Sequence, residues 1–306
     1  MSKEQQRGRI EVVLNAKSGS QKAEEAHNAI ERVLSQSGRP YQITVPAKNE
    51  LGKMVKEKAA SECEVLVAAG GDGTICSVAD AALKSGKTLG VIPLGTFNYF
   101  AKNLGIPLEP DKATEVLLGD HTVRAPVLDL NGRLILNNTS IGIHPAVLLK
   151  RRQMYRRWGR NQLSAYASVI MTAFQPPPRL RVKLALSEGE VERETPLVMV
   201  CSNAFQMEAF GLAGKECLAE GKFALYVARM AGRATIFKHG VRTMLRKLRP
   251  EIDYEVICTS DVTIETRRRR FRAAVDGELE ELEGPLRFRV RSEALCVLVP
   301  EEPEKE

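Results

Sequence analysis

Apolar runs alternate with amphipathic segments along the chain as far as Val127. The run Ile10–Leu14 predicts a buried strand, and residues 21–38 have the 3.6-residue period of a helix that ends at Gly38. Two more strands and two more helices follow the same alternation, and "TLGVIPLGT" at 88–96 predicts a fourth strand. Strands that alternate with helices at this spacing predict βαβ units and a doubly wound parallel sheet covered on both faces.

The pattern changes after Val127. "VLDLNGRLILNNTSIG" predicts a hairpin at Asn131-Gly132, and from Arg181 onward short strand-like runs dominate, with one helical interruption at 233–249. Such runs predict an antiparallel sandwich. The predicted fold class is therefore α/β plus all-β. We place the α/β domain at 1–127, with a strand at about 293–300 returning to it, and the β-rich domain at 128–292.

The stretch "VLVAAGGDGTICSVADAAL" at 65–83 joins a predicted strand to a predicted helix through a glycine-rich turn. Glycines let phosphate oxygens approach backbone N–H groups, and the N-terminus of a helix favours negative charge. Thr74 can cap the helix and donate a hydroxyl. Asp72 would repel a phosphate unless a Mg²⁺ ion lies between them. The alternative is a glycine turn whose aspartate only caps the helix.

Two further strand ends carry small or hydroxyl residues. Gly95, Thr96 and Asn98 follow the fourth strand, and the loop at 15–20 follows the first. The carboxyl ends of neighbouring parallel strands line one crevice, where ligands of open α/β sheets bind. Neither GxxxxGK[ST] nor GxGxxG is present in the expected place, which excludes a P-loop and a standard dinucleotide fingerprint.

"GGDGT" followed by "PLGTFNYFAKNLGIP" resembles the diacylglycerol kinase catalytic domain family, which includes bacterial diacylglycerol kinase-like and sphingosine kinase-like lipid kinases. "NAKSG" at 15–19, "LNNTSIGIHPAVL" at 136–148 and "VDGEL" at 275–279 resemble other motifs of that family, in the same order. The resemblance implies a nucleotide domain like those of NAD kinases and phosphofructokinases, a β-sandwich-like domain and an active site in the cleft between them. It implies transfer of the γ-phosphate of ATP, with Mg²⁺, to a lipid hydroxyl.

The resemblance also implies roles for individual residues. Asp72 would organise Mg²⁺–ATP, and Glu278 would accept the proton of the lipid hydroxyl. Asp276 could instead be the working carboxylate or could orient Glu278, and from the residues alone Asp276-Gly277 is a hairpin turn with Glu278 on a solvated strand. The residues that would hold ATP are Asn15, Ala16, Lys17, Ser18, Gly19, Thr44, Gly71, Gly73, Thr74, Ile75 and Thr96.

A structural metal of some bacterial relatives would correspond to "ECLAEGKFALYV", with Glu220 as the acidic ligand and Cys217 and Lys222 offering backbone carbonyls. Loss of this metal, compensated by Lys222 or Arg229, is an equal alternative. The family often has Gly and Asp where this chain has Phe97 and Tyr99, so the acceptor lipid stays open: diacylglycerol, a sphingoid base, a ceramide-like lipid or another lipid alcohol.

The chain carries 45 basic and 38 acidic residues, a net charge of +7 that suits an anionic partner. Arg152, Arg156 and Arg160 recur on one helical face beside Tyr155 and Trp158, which indicates either membrane-surface docking or a solvated helix. "TRRRRFR" at 266–272 is expected on a strand with charge on both faces. It would hold phosphates or keep an edge strand soluble.

A protein that binds nucleic acid through its basic charge is disfavoured, because few aromatic residues are available to stack bases and no reading motif is present. An NAD kinase-like enzyme with a soluble acceptor remains the alternative function. The six cysteines form no CxxC pair and are expected to be reduced thiols. Without a signal h-region or a spanning run, we expect a cytoplasmic enzyme of phospholipid metabolism that contacts the membrane peripherally. A homodimer is implied by resemblance only.

Overall fold

The structure, a computed structural model, describes residues 8–15, 20–47, 49–158, 179–229 and 252–302. The chain divides into two units, one formed by Met1–Val127 with Arg291–Glu306 and one formed by Leu128–Val290. The sequence places these boundaries after residues 127 and 292. The predicted helix at 233–249 and the acidic tail at 303–306 lie outside the described residues.

The first unit is built on a parallel sheet in the order β2-β1-β3-β4, to which the C-terminal end of β16 adds a parallel strand beside β4. Every residue of β1 and β3 is buried, as expected for central strands with helices on both faces. Its elements are β1 Ile10–Leu14, α1 Ser20–Gln36, β2 Tyr41–Thr44, α2 Leu51–Ala60, β3 Val65–Gly70, α3 Asp72–Ser85, β4 Thr88–Pro93, α4 Tyr99–Asn103 and α5 Pro110–Val116, and β5 Thr122–Leu130 leaves it for the second unit.

Glu11 is the polar exception in the buried strand β1. Its side chain is 2% exposed, and its two oxygens lie 2.8 Å from Arg9 Nε and 3.0 Å from Lys58 Nζ. Lys58, near the end of α2, is itself buried. A buried carboxylate is tolerated when cations compensate it, so this group of three charges joins α2 to the sheet.

The second unit contains antiparallel strands and three helices in its described part. One sheet has six strands in the order β12-β11-β10-β7-β14-β15, and in the other β16 pairs with β13, β13 with β8 and β8 with β9. Its elements are β6 Arg133–Ile135, β7 Asn138–Gly142, α6 Ile143–Trp158, β8 Leu180–Leu186, β9 Gly189–Thr195, β10 Leu197–Cys201, α7 Ala204–Phe210, α8 Lys215–Ala219, β11 Phe223–Ala228, β12 Tyr254–Thr259, β13 Asp261–Thr266, β14 Arg270–Val275, β15 Glu278–Glu283 and β16 Leu286–Leu298.

Side chains from both sheets of this unit form one hydrophobic core. Phe223 of β11 and Phe288 of β16 meet at its centre, with ring centroids 6.5 Å apart. Two antiparallel sheets around one core make a sandwich. The α/β plus all-β class predicted from the sequence is therefore confirmed, and so is the hairpin at Asn131-Gly132, which joins β5 to β6.

Two local predictions are wrong. Cys217 of α8 and Cys258 of β12 form a disulfide, so these two cysteines are not reduced thiols. Their 41-residue separation gives no spacing signal in the sequence. The arginine run at 266–272 is not one continuous strand, because residues 267–269 form a bend and β14 begins at Arg270.

Among the described helices, none combines the length and the apolar character that a membrane span needs.

Candidate active site

The carboxyl ends of four parallel strands lie side by side in the first unit. Thr44 at the end of β2 pairs with Val13 of β1, and Gly70 at the end of β3 pairs with Pro93 at the end of β4. Asn15, which follows β1, donates its backbone N–H to Ala69 O at 2.9 Å. The loops after β1, β3 and β4 therefore start from one edge of the sheet, as the sequence predicts.

The glycine turns after β3 and β4 lie against each other. A Cβ atom built on Gly95 would lie 2.8 Å from Gly71 Cα and 2.6 Å from Asn98 Oδ1, so no other side chain fits. Asn98 has a left-handed φ of 52°. Its side chain closes the turn, because Oδ1 accepts the Gly95 N–H at 2.9 Å and Nδ2 donates to Gly95 O at 3.2 Å. These contacts hold two backbone turns in direct contact.

Asp72 joins the two turns. It is the first residue of α3, where the helix dipole favours a carboxylate. Its Oδ2 atom accepts the backbone N–H of Asn98 at 3.0 Å. The carboxylate is therefore held at the mouth of the glycine turns by a specific bond, in a position where an acceptor oxygen could also contact a cation.

Three observations indicate room and polar groups for a ligand beside these turns. A Cβ on Gly73 would meet no atom of a described residue within 4 Å, so the described part of the chain leaves space beside the start of α3. Thr74 Oγ1 accepts a hydrogen bond of 2.7 Å from Asn15 Nδ2, which ties the loop after β1 to the helix. The hydroxyl of Thr44 is buried and has no hydrogen-bond partner among the described residues. A buried hydroxyl without a partner is uncommon, which points to a missing ligand or water.

The remaining residues predicted to bind ATP fall into three groups: outside the described residues, buried, or exposed. Ala16, Lys17, Ser18 and Gly19 lie outside the described residues. Ile75 is buried in α3, and Thr96 is exposed in the turn after β4. Phe97 and Tyr99 stack on each other, with ring centroids 5.4 Å apart, and Phe97 is 49% exposed. A stacked aromatic pair, with Phe97 exposed and Tyr99 half-buried, therefore stands where the family often has Gly and Asp.

In the second unit, the motif "VDGEL" forms the tight turn between β14 and β15. Asp276 and Gly277 have φ values of 45° and 83°, which suits the two central positions of a type I′ hairpin. The Asp276 carboxylate accepts three backbone N–H groups, from Leu136 at 3.0 Å, Asn137 at 2.8 Å and Asn138 at 3.1 Å. Asp276 thus anchors the turn to the segment that begins β7, and Glu278 follows as the exposed first residue of β15.

A buried amide cluster, formed by Asn137, Asn138, Asn203 and Gln206, surrounds the segment that Asp276 anchors. Asn138 Nδ2 donates to Gln206 Oε1 at 2.7 Å, and Asn203 Nδ2 donates to Asn137 Oδ1 at 2.7 Å. Asn203 also caps α7 by accepting the Gln206 N–H. Sequence reasoning missed this cluster. The consecutive asparagines of "LNNTS" before a strand were the available signal.

The thiol of Cys201 packs beside this cluster, 3.6 Å from Gln206 Oε1. Burial raises the pKa of Cys201 to about 12, because a thiolate would be desolvated there. The side chain is therefore a neutral thiol at physiological pH.

The proposed metal loop has a different arrangement. Glu220 pairs with Lys222 through a contact of 2.8 Å, and the hydrogen bond that Lys222 Nζ donates to Glu220 Oε2 raises the pKa of Lys222. The carbonyl of Cys217 accepts the Lys222 backbone N–H at 2.9 Å. No group of three or more His, Cys, Asp or Glu side chains suited to a metal occurs in the described part of the chain. In this structure the Lys222 ammonium group contacts the Glu220 carboxylate, and a metal ion at Glu220 stays a prediction.

The comparisons with known proteins agree with this geometry. Residues 9–130 match the family described as the diacylglycerol kinase catalytic domain. A Pseudomonas aeruginosa protein named "Probable lipid kinase YegS-like" is 38% identical over 129 residues, which cover 40% of this chain and 42% of the relative. A Bacillus subtilis protein named "Diacylglycerol kinase" is 42% identical over 85 residues, which cover 27% of this chain and 28% of the relative. The alignments thus span less than half of each relative.

The crystal structure of a protein described as a diacylglycerol kinase from Bacillus anthracis str. Sterne superposes with a TM-score of 0.72 at 19% identity and covers 96% of this chain and 97% of that chain. At that identity the likeness concerns the fold. The sequence likeness to the diacylglycerol kinase catalytic domain family covers residues 9–130.

Proposed function

We propose that this protein is an ATP-dependent lipid kinase that transfers the γ-phosphate to the hydroxyl of diacylglycerol or a related lipid. The observation that carries the proposal is the contact between the two glycine turns, Gly71 against Gly95, at the aligned strand ends. It leaves backbone groups accessible at the start of α3, where a phosphate binds well. The family match at residues 9–130 includes both turns, and curated relatives named as a probable lipid kinase and a diacylglycerol kinase are similar to part of this chain.

In this proposal the first unit binds ATP. Gly71, Gly73 and Thr74 contact its phosphates, and the unpartnered hydroxyl of Thr44 is a further donor. Asp72 suits a Mg²⁺ ion because it offers a carboxylate at a helix N-terminus beside the phosphates. When bound, Mg²⁺ supplies charge compensation for the phosphoryl group.

Phosphoryl transfer needs a hydroxyl oxygen to attack the γ-phosphorus while the bond from that phosphorus to the β-phosphate oxygen breaks and ADP leaves. The hydroxyl proton must go to a base. Asp276 is occupied by three backbone donors, whereas Glu278 is exposed on β15. We therefore assign Glu278 as the proton acceptor and Asp276 as the group that positions the turn.

Two further properties belong to the proposal. A lipid acceptor requires contact with a membrane surface, and the helix α6 contains the basic positions Arg151, Arg152 and Arg156. Cytoplasmic location with peripheral membrane contact is therefore proposed. Self-association as a dimer stays a prediction, which light scattering of the purified protein checks.

The test is transfer of ³²P from [γ-³²P]ATP to lipids in mixed micelles, with and without Mg²⁺. The panel contains diacylglycerol, sphingosine, ceramide and an isoprenoid alcohol, with NAD as a soluble acceptor. We expect a labelled lipid that requires Mg²⁺. Label on NAD alone would instead establish the NAD kinase-like alternative.

Three variants sharpen the assay. Asp72→Asn keeps an oxygen that accepts the Asn98 N–H, so the protein folds but loses the charge. Glu278→Gln removes the base, and we expect about 10²–10⁴-fold slower turnover. Glu188→Gln, an exposed glutamate in the β8–β9 turn, is the control and keeps full activity. Full lipid phosphorylation by Asp72→Asn would refute the assignment.

A further inference from the structure

A cavity of about 1120 Å³ opens in the second unit, away from the residues assigned above. Its apolar wall comes from β7, α6, β8 and β14, and its polar wall is dominated by arginines. The apolar lining includes Ile141, Pro145, Leu149, Leu180 and Phe271. The basic lining consists of Arg179, Arg181, Arg267, Arg268, Arg270 and Arg272.

The positive charge of this cavity is only partly neutralised within the described part of the chain. Two glutamates line it, Glu194 and Glu281, against six arginines. Their contacts are long, 4.0 Å from Arg179 to Glu194 and 3.9 Å from Arg272 to Glu281.

Three of the arginines have no acidic partner among the described residues. The side chains of Arg181, Arg267 and Arg268 are exposed and form no ion pair there. Several unpaired guanidinium groups around one opening repel each other, so an anion that enters relieves that repulsion. The planar donor fork of arginine suits a phosphate oxygen pair in particular.

The apolar wall shows that a free anion would fill only part of the cavity. Pro145 is buried and Leu149 is half-buried on the side of α6 that faces the cavity, and Phe271 lies on β14 opposite them. A hydrocarbon chain that packs against these side chains is removed from water, and this burial of apolar surface favours binding. The volume lies just above the range for small-molecule sites, about 300–1,000 Å³, and accommodates an acyl chain together with a headgroup.

The cavity is separate from the Asp276 turn. In the sheet, Val275 pairs with Thr139 and Ala273 pairs with Ile141. The turn lies at the Asn138 end of β7, whereas the cavity lies at its Ile141 end. Three residues of extended strand correspond to about 10 Å. The strand β14 connects the two places directly.

We propose that this cavity binds an anionic amphiphile, an acyl lipid with a phosphate headgroup, at a second site distinct from the Asp276 turn. The acyl chain contacts the wall formed by α6 and Phe271, and the phosphate contacts the unpaired arginines. Binding requires no nucleotide and no phosphoryl transfer, so this proposal stands or falls independently of the kinase assay.

The experiment is calorimetric titration of the full chain, without ATP, using dodecyl phosphate below its critical micelle concentration. Dodecyl maltoside tests the alkyl chain without a phosphate group, and inorganic phosphate tests the anion without an alkyl chain. We expect dodecyl phosphate to bind at least tenfold more tightly than either. Equal binding of dodecyl maltoside, or equal binding of inorganic phosphate, would overturn the proposal.

The variants locate the site. The double change Arg181→Ala with Arg268→Ala should weaken dodecyl phosphate binding at least tenfold, and Leu149→Trp, which narrows the apolar wall, should do the same. Arg287→Ala removes an exposed arginine of the same unit outside the cavity and is the matched control. Thermal unfolding verifies that each variant folds.

Unchanged affinity in the double variant would refute the site. So would an oligonucleotide that binds through Arg181 and Arg268 while dodecyl phosphate does not, since that result assigns the arginines to nucleic acid.

Discussion

Gly95 and Gly73 differ in what surrounds them, although both belong to glycine turns at the same strand ends. Gly95 is enclosed by Asn98 and the backbone of Gly71, whereas the described part of the chain leaves space beside Gly73. Packing therefore requires a glycine at position 95. At position 73 a glycine is required only if a ligand lies close to the start of α3.

Gly95→Ala should lower the free energy of unfolding by about 1–3 kcal/mol, because the new methyl group forces the two turns apart. It should also abolish measurable ATP binding. Gly73→Ala should leave stability within about 0.5 kcal/mol and still weaken ATP binding. Urea unfolding and calorimetric titration with ATP separate the two effects. Wild-type stability in Gly95→Ala would contradict the packing argument.

The two carboxylates of the "VDGEL" turn should also separate into structural and chemical roles. Asp276→Asn removes a charged acceptor of three N–H groups and should cost about 2–3 kcal/mol of stability together with activity. Glu278→Gln should keep wild-type stability while turnover falls. Unfolding curves measured beside the kinase assay check this. A stable, inactive Asp276→Asn would show that Asp276 itself acts in the chemistry.

At the scale of elements, the compensated charge of Glu11 joins β1 to α2. Lys58→Met leaves Glu11 buried with Arg9 as its remaining cation, and we expect a loss of about 2–4 kcal/mol. Glu11→Gln combined with Lys58→Met should cost less than the sum of the two single changes. A double-mutant cycle in urea measures that coupling. Strict additivity would mean that the contact carries no energy.

The disulfide between Cys217 and Cys258 is the other connection between elements, joining α8 to β12. Dithiothreitol, or the double change Cys217→Ser with Cys258→Ser, should destabilise the protein by about 2–4 kcal/mol, since a 41-residue loop is released. The double variant should then be insensitive to dithiothreitol. Thiol titration of the unreduced, unfolded protein should count four thiols, and a count of six would contradict the bond.

At the scale of the whole molecule, local patterns were sufficient for the fold class. Buried runs such as Ile10–Leu14 specify the parallel sheet, and Asn131-Gly132 specifies a hairpin, because these signals act over a few residues. The glycine turns could be located, but their contact through Gly71 and Gly95 depends on strand register. The disulfide, the amide cluster and the three donors to Asp276 join segments far apart in sequence, and no local pattern encodes them.

The chain crosses from one unit to the other twice, and each crossing lies inside a strand. The first unit ends within β5 and resumes within β16, where Val297 pairs with Leu89 of β4. Thr88 and Cys296, which are in hydrogen-bond contact at this place, are 208 residues apart.

This arrangement has a consequence for synthesis on the ribosome. The α/β sheet cannot receive the parallel strand at the end of β16 until the inserted second unit has been translated, because Thr88 of β4 and Cys296 of β16 are 208 residues apart. Until then, the edge of β4 that pairs with β16 has no neighbouring strand. An unpaired strand edge is a target for aggregation, so we expect chaperones that shield this edge to raise the yield of folded protein.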